Sequence, residues 1–172
     1  MRRVFKEILY HGTIAEIRKV DVTQGRARKD FGRGFYMAVT KNQAVGMMNK
    51  KFREAVRRSV DKNETSFTRR LYRIRIDLEY AATLNVKFFE TADEEWLDFV
   101  LMCRGKGGVP HPYDLVIGPT ADDDAILSMK AYLAGLYGRA GSDVAKGILL
   151  NNLETENLAF SITSASKRSR TG

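Results

Sequence analysis

Residues 30–44 read Asp30-Phe31-Gly32-Arg33-Gly34-Phe35-Tyr36-Met37-Ala38-Val39-Thr40-Lys41-Asn42-Gln43-Ala44. The residue types run in the order turn, strand, helix start. Two glycines around a basic residue predict a tight turn that brings backbone N–H groups close to a neighbour. Phe35–Val39 is short and apolar, as a buried strand requires. Within it Phe35 and Tyr36 point to opposite faces, so one enters the core while the other lines a cleft. Thr40 is a good N-cap, and a helix follows from Lys41 to about Asp61. Its apolar side is Val45, Met48, Phe52, Ala55 or Val56, and Val60; the other side carries Lys50, Lys51, Arg53, Arg57 and Arg58.

Upstream, Val4–His11 reads as a strand ending at Gly12, Ile14–Val20 as a short strand or bridge, and Thr23–Gly34 as a loop. Tyr10-His11-Gly12-Thr13 presents an imidazole, accessible backbone and a hydroxyl together. Downstream, Leu71–Leu78 alternates as a strand and Thr83–Phe88 adds a second, short one. A helix over Asp93–Cys103 opens on acids, as a helix N-terminus favours. Arg104–Pro112 is a Gly-rich loop, and Tyr113–Ile117 is a buried strand stopped by Gly118-Pro119. Helices over Asp124–Tyr137 and Asp143–Leu150 precede a final strand over Asn157–Ile162. Strands first, then a helix, then a mixture, without regular alternation, gives an α+β class with a mainly antiparallel sheet.

The chain has 172 residues, suiting a single domain over residues 1–163 with a basic tail over 164–172. No apolar run approaches the roughly 20 residues that span a bilayer, and Lys6 and Glu7 break the N-terminal apolar stretch. The lone Cys103 has no intrachain partner and no metal-ligand neighbours, which points to a reduced, cytoplasmic setting. Asp122-Asp123-Asp124 suits a helix start and not a metal, because consecutive acids there do not converge on one ion; no metal site is expected. His111, between prolines, has a loop role, and Trp96, Phe99 and Val100 read as core on a helix, with Trp96 also placed to close a cleft. Charge is uneven: residues 1–75 carry 20 Lys/Arg against 7 Asp/Glu, whereas residues 76–135 carry 4 against 11. A basic first half leaves two readings open, a polyanion-binding face or a solvated helix.

Taken together, YHGT at 10–13 and DFGRGFYMAVTKNQA at 30–44 resemble the first two motifs of the diphtheria-toxin/PARP branch of ADP-ribosyltransferases. With EEWLDFV at 94–100 and YDLVIGP at 113–119, they resemble more closely a family of small bacterial proteins considered ADP-ribosyltransferase-like and often encoded beside an antitoxin. The resemblance runs from about Leu9 to Phe160. It implies an ADP-ribosyltransferase-like split, mainly antiparallel β core and an NAD-consuming bacterial toxin that transfers ADP-ribose to a protein or nucleic-acid acceptor. His11 would then hydrogen-bond the nicotinamide-side ribose, Gly12 backbone the carboxamide, and Thr13 the other ribose or a phosphate. Tyr36 would stack on the nicotinamide; Asp30, Phe31, Gly32, Arg33 and Gly34 would form the loop over the pyrophosphate. Where PARP-like enzymes carry a second aromatic, the chain has Ala44-Val45-Gly46-Met47-Met48, and Met47 takes the packing role. The third catalytic element, an acid opening the last strand, falls to Glu156 ahead of Asn157 and Glu154. An inactive NAD-binding module and a basic nucleic-acid-binding domain are the alternatives.

Overall fold

The computed structural model describes residues 7–59, 66–154 and 159–164. They form two compact units. The first uses the chain up to Asp21 and Tyr36–Leu84, the second Val22–Phe35 and the chain from Asn85 on.

The first unit holds β1 (Ile8–Thr13), most of β2 (Phe35–Ala38), α1 (Lys41–Ser59), β3 (Arg70–Arg75) and a short α2 (Leu78–Ala81). β1 lies between β3 and β2, antiparallel to both. It runs two residues past the expected end at His11, because Gly12 and Thr13 pair with Leu71 and Arg70. The strand expected over Ile14–Val20 does not form. Side chains satisfy that backbone instead: Ala15 N–H donates to Thr13 Oγ1 (3.2 Å), Ile17 N–H to the Tyr72 hydroxyl (2.8 Å), and Arg70 Nη1 to the Ile14 carbonyl (3.0 Å). β3 stops at Arg75, three residues short of expectation, because Asp77 caps a helical turn by accepting from the Tyr80 amide.

The second unit holds β4 (Val86–Phe88), α3 (Glu94–Lys106), β5 (Leu115–Thr120), α4 (Asp123–Leu133), α5 (Asp143–Glu154) and β6 (Ala159–Ser164). β5 pairs parallel with β4, with α3 as the crossover, and antiparallel with β6. The class is α+β: the described β1–β2, β1–β3 and β5–β6 pairs are antiparallel and β4–β5 is parallel. β5 passes through Gly118-Pro119, where a stop was expected. Pro119 lies beyond the last β4 pair, Phe88–Ile117, so the donor it lacks is not needed on that side. A Cβ on Gly118 would sit 2.9 Å from that of Phe89, so the close approach requires glycine. Asp93 and Asp122 cap α3 and α4 by accepting from the Trp96 and Ala125 amides. α3 continues to Lys106 before Gly107 ends it at φ 71°. α4 ends at Leu133, ahead of Gly135 at φ 78°, and α5 runs four residues beyond Leu150.

Trp96, Leu97, Val100, Val116, Ile117 and Leu149 are fully buried in this unit. Trp96 Nε1–H donates to the Pro119 carbonyl at 2.8 Å, so it is core and closes no cleft. Lys146 ties α5 to α3; its hydrogen bonds to Glu94 and Asp98 hold its ammonium above the ordinary lysine range. Among the described residues no helix is long and apolar enough to cross a membrane.

Candidate functional site

The YHGT motif is the end of β1. A single bridge, Tyr10–Ala38, joins β1 to β2. One residue further along, the His11 Nδ1 stands 2.7 Å from the Tyr36 carbonyl oxygen. A carbonyl only accepts, so Nδ1 carries the proton, and Nε2 is the acceptor whenever the ring is neutral. The two residues singled out by the sequence are therefore joined, through the ring of one and the backbone of the other. Alternation along β2 sets Tyr36 on the face of Ala38, hence of Tyr10 and Gly12, and sets His11 on the other; the ring-to-carbonyl contact, not a shared face, joins the two. Both His11 and Tyr36 are half-buried.

Gly12 is required by packing. A Cβ there would lie 1.8 Å from the Ala44 carbonyl oxygen and 2.9 Å from the Met48 Cβ, so α1 rests directly on the strand. The Gly12 carbonyl accepts from Lys51 Nζ at 3.0 Å. Lys51 thus belongs to the inward stripe with Ala44 and Met48, at helical spacing, and not to the basic side where it was expected; Val56, expected as an apolar alternative to Ala55, is 40% exposed. Thr13 is buried, its hydroxyl oxygen occupied by the Ala15 amide. Met47 is exposed on α1.

In the second unit, residues 30–34 form a clasped loop. Asp30 is buried: its Oδ1 accepts from Arg104 Nε at 2.7 Å and Nη2 at 2.6 Å, and its Oδ2 from the Ala121 amide at 2.8 Å. Phe31 is fully buried against Phe89 and Phe99, with ring centroids 6.3 Å away in each case. Gly32 has φ 75°, and a Cβ would meet the Gly108 carbonyl at 2.5 Å; Arg33 N–H donates to that same oxygen at 2.6 Å. Gly34 is buried against Gly25, whose Cβ would lie 2.5 Å from its carbonyl oxygen. The Arg33 side chain is exposed. Arg28 Nη1 donates to the carbonyls of Arg104 and Gly105 at the α3 C-terminus, where a cation is favoured.

His111 is buried beneath this loop. Its Nε2 stands 3.0 Å from the Phe31 carbonyl and its Nδ1 accepts from the Tyr113 amide at 3.3 Å, which fixes a neutral, Nε2-protonated ring. Through Phe31, Phe99, His111, Tyr113 and the Trp96–Pro119 bond, the segments DFG, EEWLDFV and YDLVIGP pack on one another. Burial raises the Cys103 thiol from 9.0 to about 12, with the Asp30 charge adding to the effect. Asp30 and Phe31 are thus supports of the loop; Arg104 and Ala121, which sequence reasoning passed over, and Lys51, which it set on the outer side of α1, are what hold the two motifs in place. Glu156 and Asn157 lie outside the described residues; Glu154 ends α5.

An α+β protein whose DFG, EEWLDFV and YDLVIGP segments interlock and whose YHGT strand is held by α1 is the class these observations define. The chain belongs to the family described as Protein of unknown function (DUF3990), whose model matches residues 7–167. Neither the curated proteins nor the solved structures give a match.

Proposed function

We propose that this chain is an NAD-dependent ADP-ribosyltransferase of the H-Y-E type, acting in the bacterial cytoplasm as the toxin of a toxin–antitoxin pair and built as one ADP-ribosyltransferase-like domain over residues 1–163. NAD is consumed, and its ADP-ribose passes to a macromolecular acceptor, protein or nucleic acid; a small antitoxin protein is the expected partner. The observation that carries the reading is the 2.7 Å contact between His11 Nδ1 and the Tyr36 carbonyl. It couples the two motifs that resemble NAD-binding elements and makes Nδ1 a donor.

The chemistry follows from that tautomer. His11 Nε2 accepts from a ribose hydroxyl and so orients the sugar. The Tyr36 ring supplies a flat platform for the cationic nicotinamide. As the nicotinamide–ribose bond breaks, positive character grows on the sugar, and a carboxylate stabilises it; Glu156 is the proposed carboxylate, with Asn157 and Glu154 as rivals. Nicotinamide leaves with the bonding pair, and the acceptor nucleophile bonds to the ribose carbon it vacates, giving up its proton to solvent.

A second reading, a catalytically inactive NAD-binding module, is favoured by Met47. It stands where PARP-like enzymes carry a second aromatic, and it is 41% exposed. Nicotinamide release from NAD by the purified chain decides between them. Release is expected, with His11→Ala and Tyr36→Ala each lowering it about 100-fold or more at unchanged melting temperature. NAD binding without turnover selects the inactive module. Release at wild-type rate in both variants overturns the site.

A further inference from the structure

Residues 41–59 and 66–75 carry ten Lys/Arg against a single acid, Glu54, and the fold gathers them. Tyr10 pairs with Arg73 and Ile8 with Arg75, so these arginines stand on the same sheet face as Gly12, the face on which α1 rests. Arg69, just before β3, lies 4.0 Å over the ring of Phe52 on α1. The basic helix and the basic edge strand therefore share one face of the first unit.

Two of the ten are used internally: Lys51 on the Gly12 carbonyl and Arg70 on the carbonyls of Ile14 and Thr68. Two more face acids on the surface, Arg58 with Glu54 at 3.9 Å and Arg75 with Glu7 at 3.4 Å. Arg53, Arg57, Arg69 and Arg73 are exposed. Arg73 and Arg75 are one two-residue strand step apart, about 6.6 Å, and Arg53 and Arg57 one helical turn apart, with Cβ atoms about 6 Å apart. These separations match single steps along a phosphodiester chain. Guanidinium groups grip phosphate as a two-pronged fork.

We propose that the α1–β3 face binds the backbone of a nucleic-acid duplex. A duplex is favoured over a single strand because no exposed residue of α1 or β3 is aromatic: Phe52 lies under Arg69, and the Tyr72 hydroxyl is bonded to the Ile17 amide. Unpaired bases find no stacking platform there. Phosphate is favoured over an acidic protein because the groups presented are arginines at backbone spacing, and the two large apolar side chains exposed on α1, Met47 and Val56, stand nine residues apart and form no apolar centre. The proposal does not depend on NAD chemistry.

Anisotropy of a labelled short DNA duplex, titrated with the full chain across salt, tests it. With four phosphate contacts the slope of log affinity against log salt is about −3.6, so binding weakens about 150-fold between about 50 and 200 mM salt. The variant Arg53→Gln/Arg57→Gln/Arg73→Gln removes three contacts and leaves a slope of about −0.9. Lys130→Gln/Arg139→Gln, exposed basic positions in the second unit, leaves the wild-type slope. A slope that the triple variant does not change overturns the proposal. So does tighter binding of the matching single strand or of polyglutamate, the latter pointing to an acidic protein partner.

Discussion

Replacing Asp30 by Ala removes more than one side chain. The carboxylate is 6% exposed and Arg104 24%, and three donors converge on it at 2.6–2.8 Å. Breaking a buried pair from one side costs about 3–5 kcal/mol, because a charge is stranded. Arg104 keeps part of its guanidinium in water, so the lower figure, about 3 kcal/mol, applies. The Ala121 amide also loses its acceptor, which costs about 1 kcal/mol more. About 4 kcal/mol in a chain of this length lowers the melting temperature by roughly 8–16 °C. Asp30→Asn keeps one oxygen but turns an NH2 group toward a donor, so it loses roughly half as much. Thermal unfolding followed by circular dichroism reads both. An Asp30→Ala protein melting within a degree or two of wild type refutes the assignment of this residue to the scaffold. An Asp30→Ala protein that is equally stable yet has lost NAD binding points to a ligand role instead.

The remaining predictions are independent of Asp30. Gly12→Ala drives a Cβ to 1.8 Å from the Ala44 carbonyl oxygen, so α1 must lift; a cost of about 3 kcal/mol and a fall in melting temperature of roughly 6–12 °C are expected. Ala44→Gly does not rescue it, since the clash is with backbone, and rescue in a thermal melt contradicts the packing. Cys103, with its thiol raised from 9.0 to about 12, reacts with a thiol-specific dye at pH 8 roughly a thousandfold more slowly in the folded chain than in denaturant, from thiolate fraction alone. Its neutral form is the one the fold favours, so this contribution to stability is intact below pH 9 and is lost as pH climbs towards 12; rapid native labelling overturns that.

Local signals carried most of the fold. The turn–strand–helix reading of residues 30–44 stands because Gly32, the strand and Thr40 each follow local chemistry; the Gln43 amide reaches Thr40 Oγ1 at 3.3 Å. Asp93 and Asp122 were readable as acids at helix starts for the same reason. The failures are places where distant chain decides. Ile14–Val20, with Ile14, Ile17 and Val20 apolar, reads as a short strand, but Arg70 and Tyr72 take its backbone. Gly118-Pro119 punctuates most strands, and is tolerated because β4 ends first. At the site, His11 and Tyr36 stood out by residue type and spacing. Lys51 was hidden because a lysine among lysines and arginines gives no sign that it turns inward, and Arg104 because its partner lies 74 positions away.

The burial of Cys103 has a practical side. It is the chain's single cysteine, and it is fully buried on α3, near enough to Asp30 to feel its charge. A cysteine introduced on the surface is then the only thiol a dye or spin label can reach, with no need to delete the native one. Met47→Cys, on the exposed side of α1, puts such a reporter next to Met48, the residue that lies against Gly12 on the strand that carries His11.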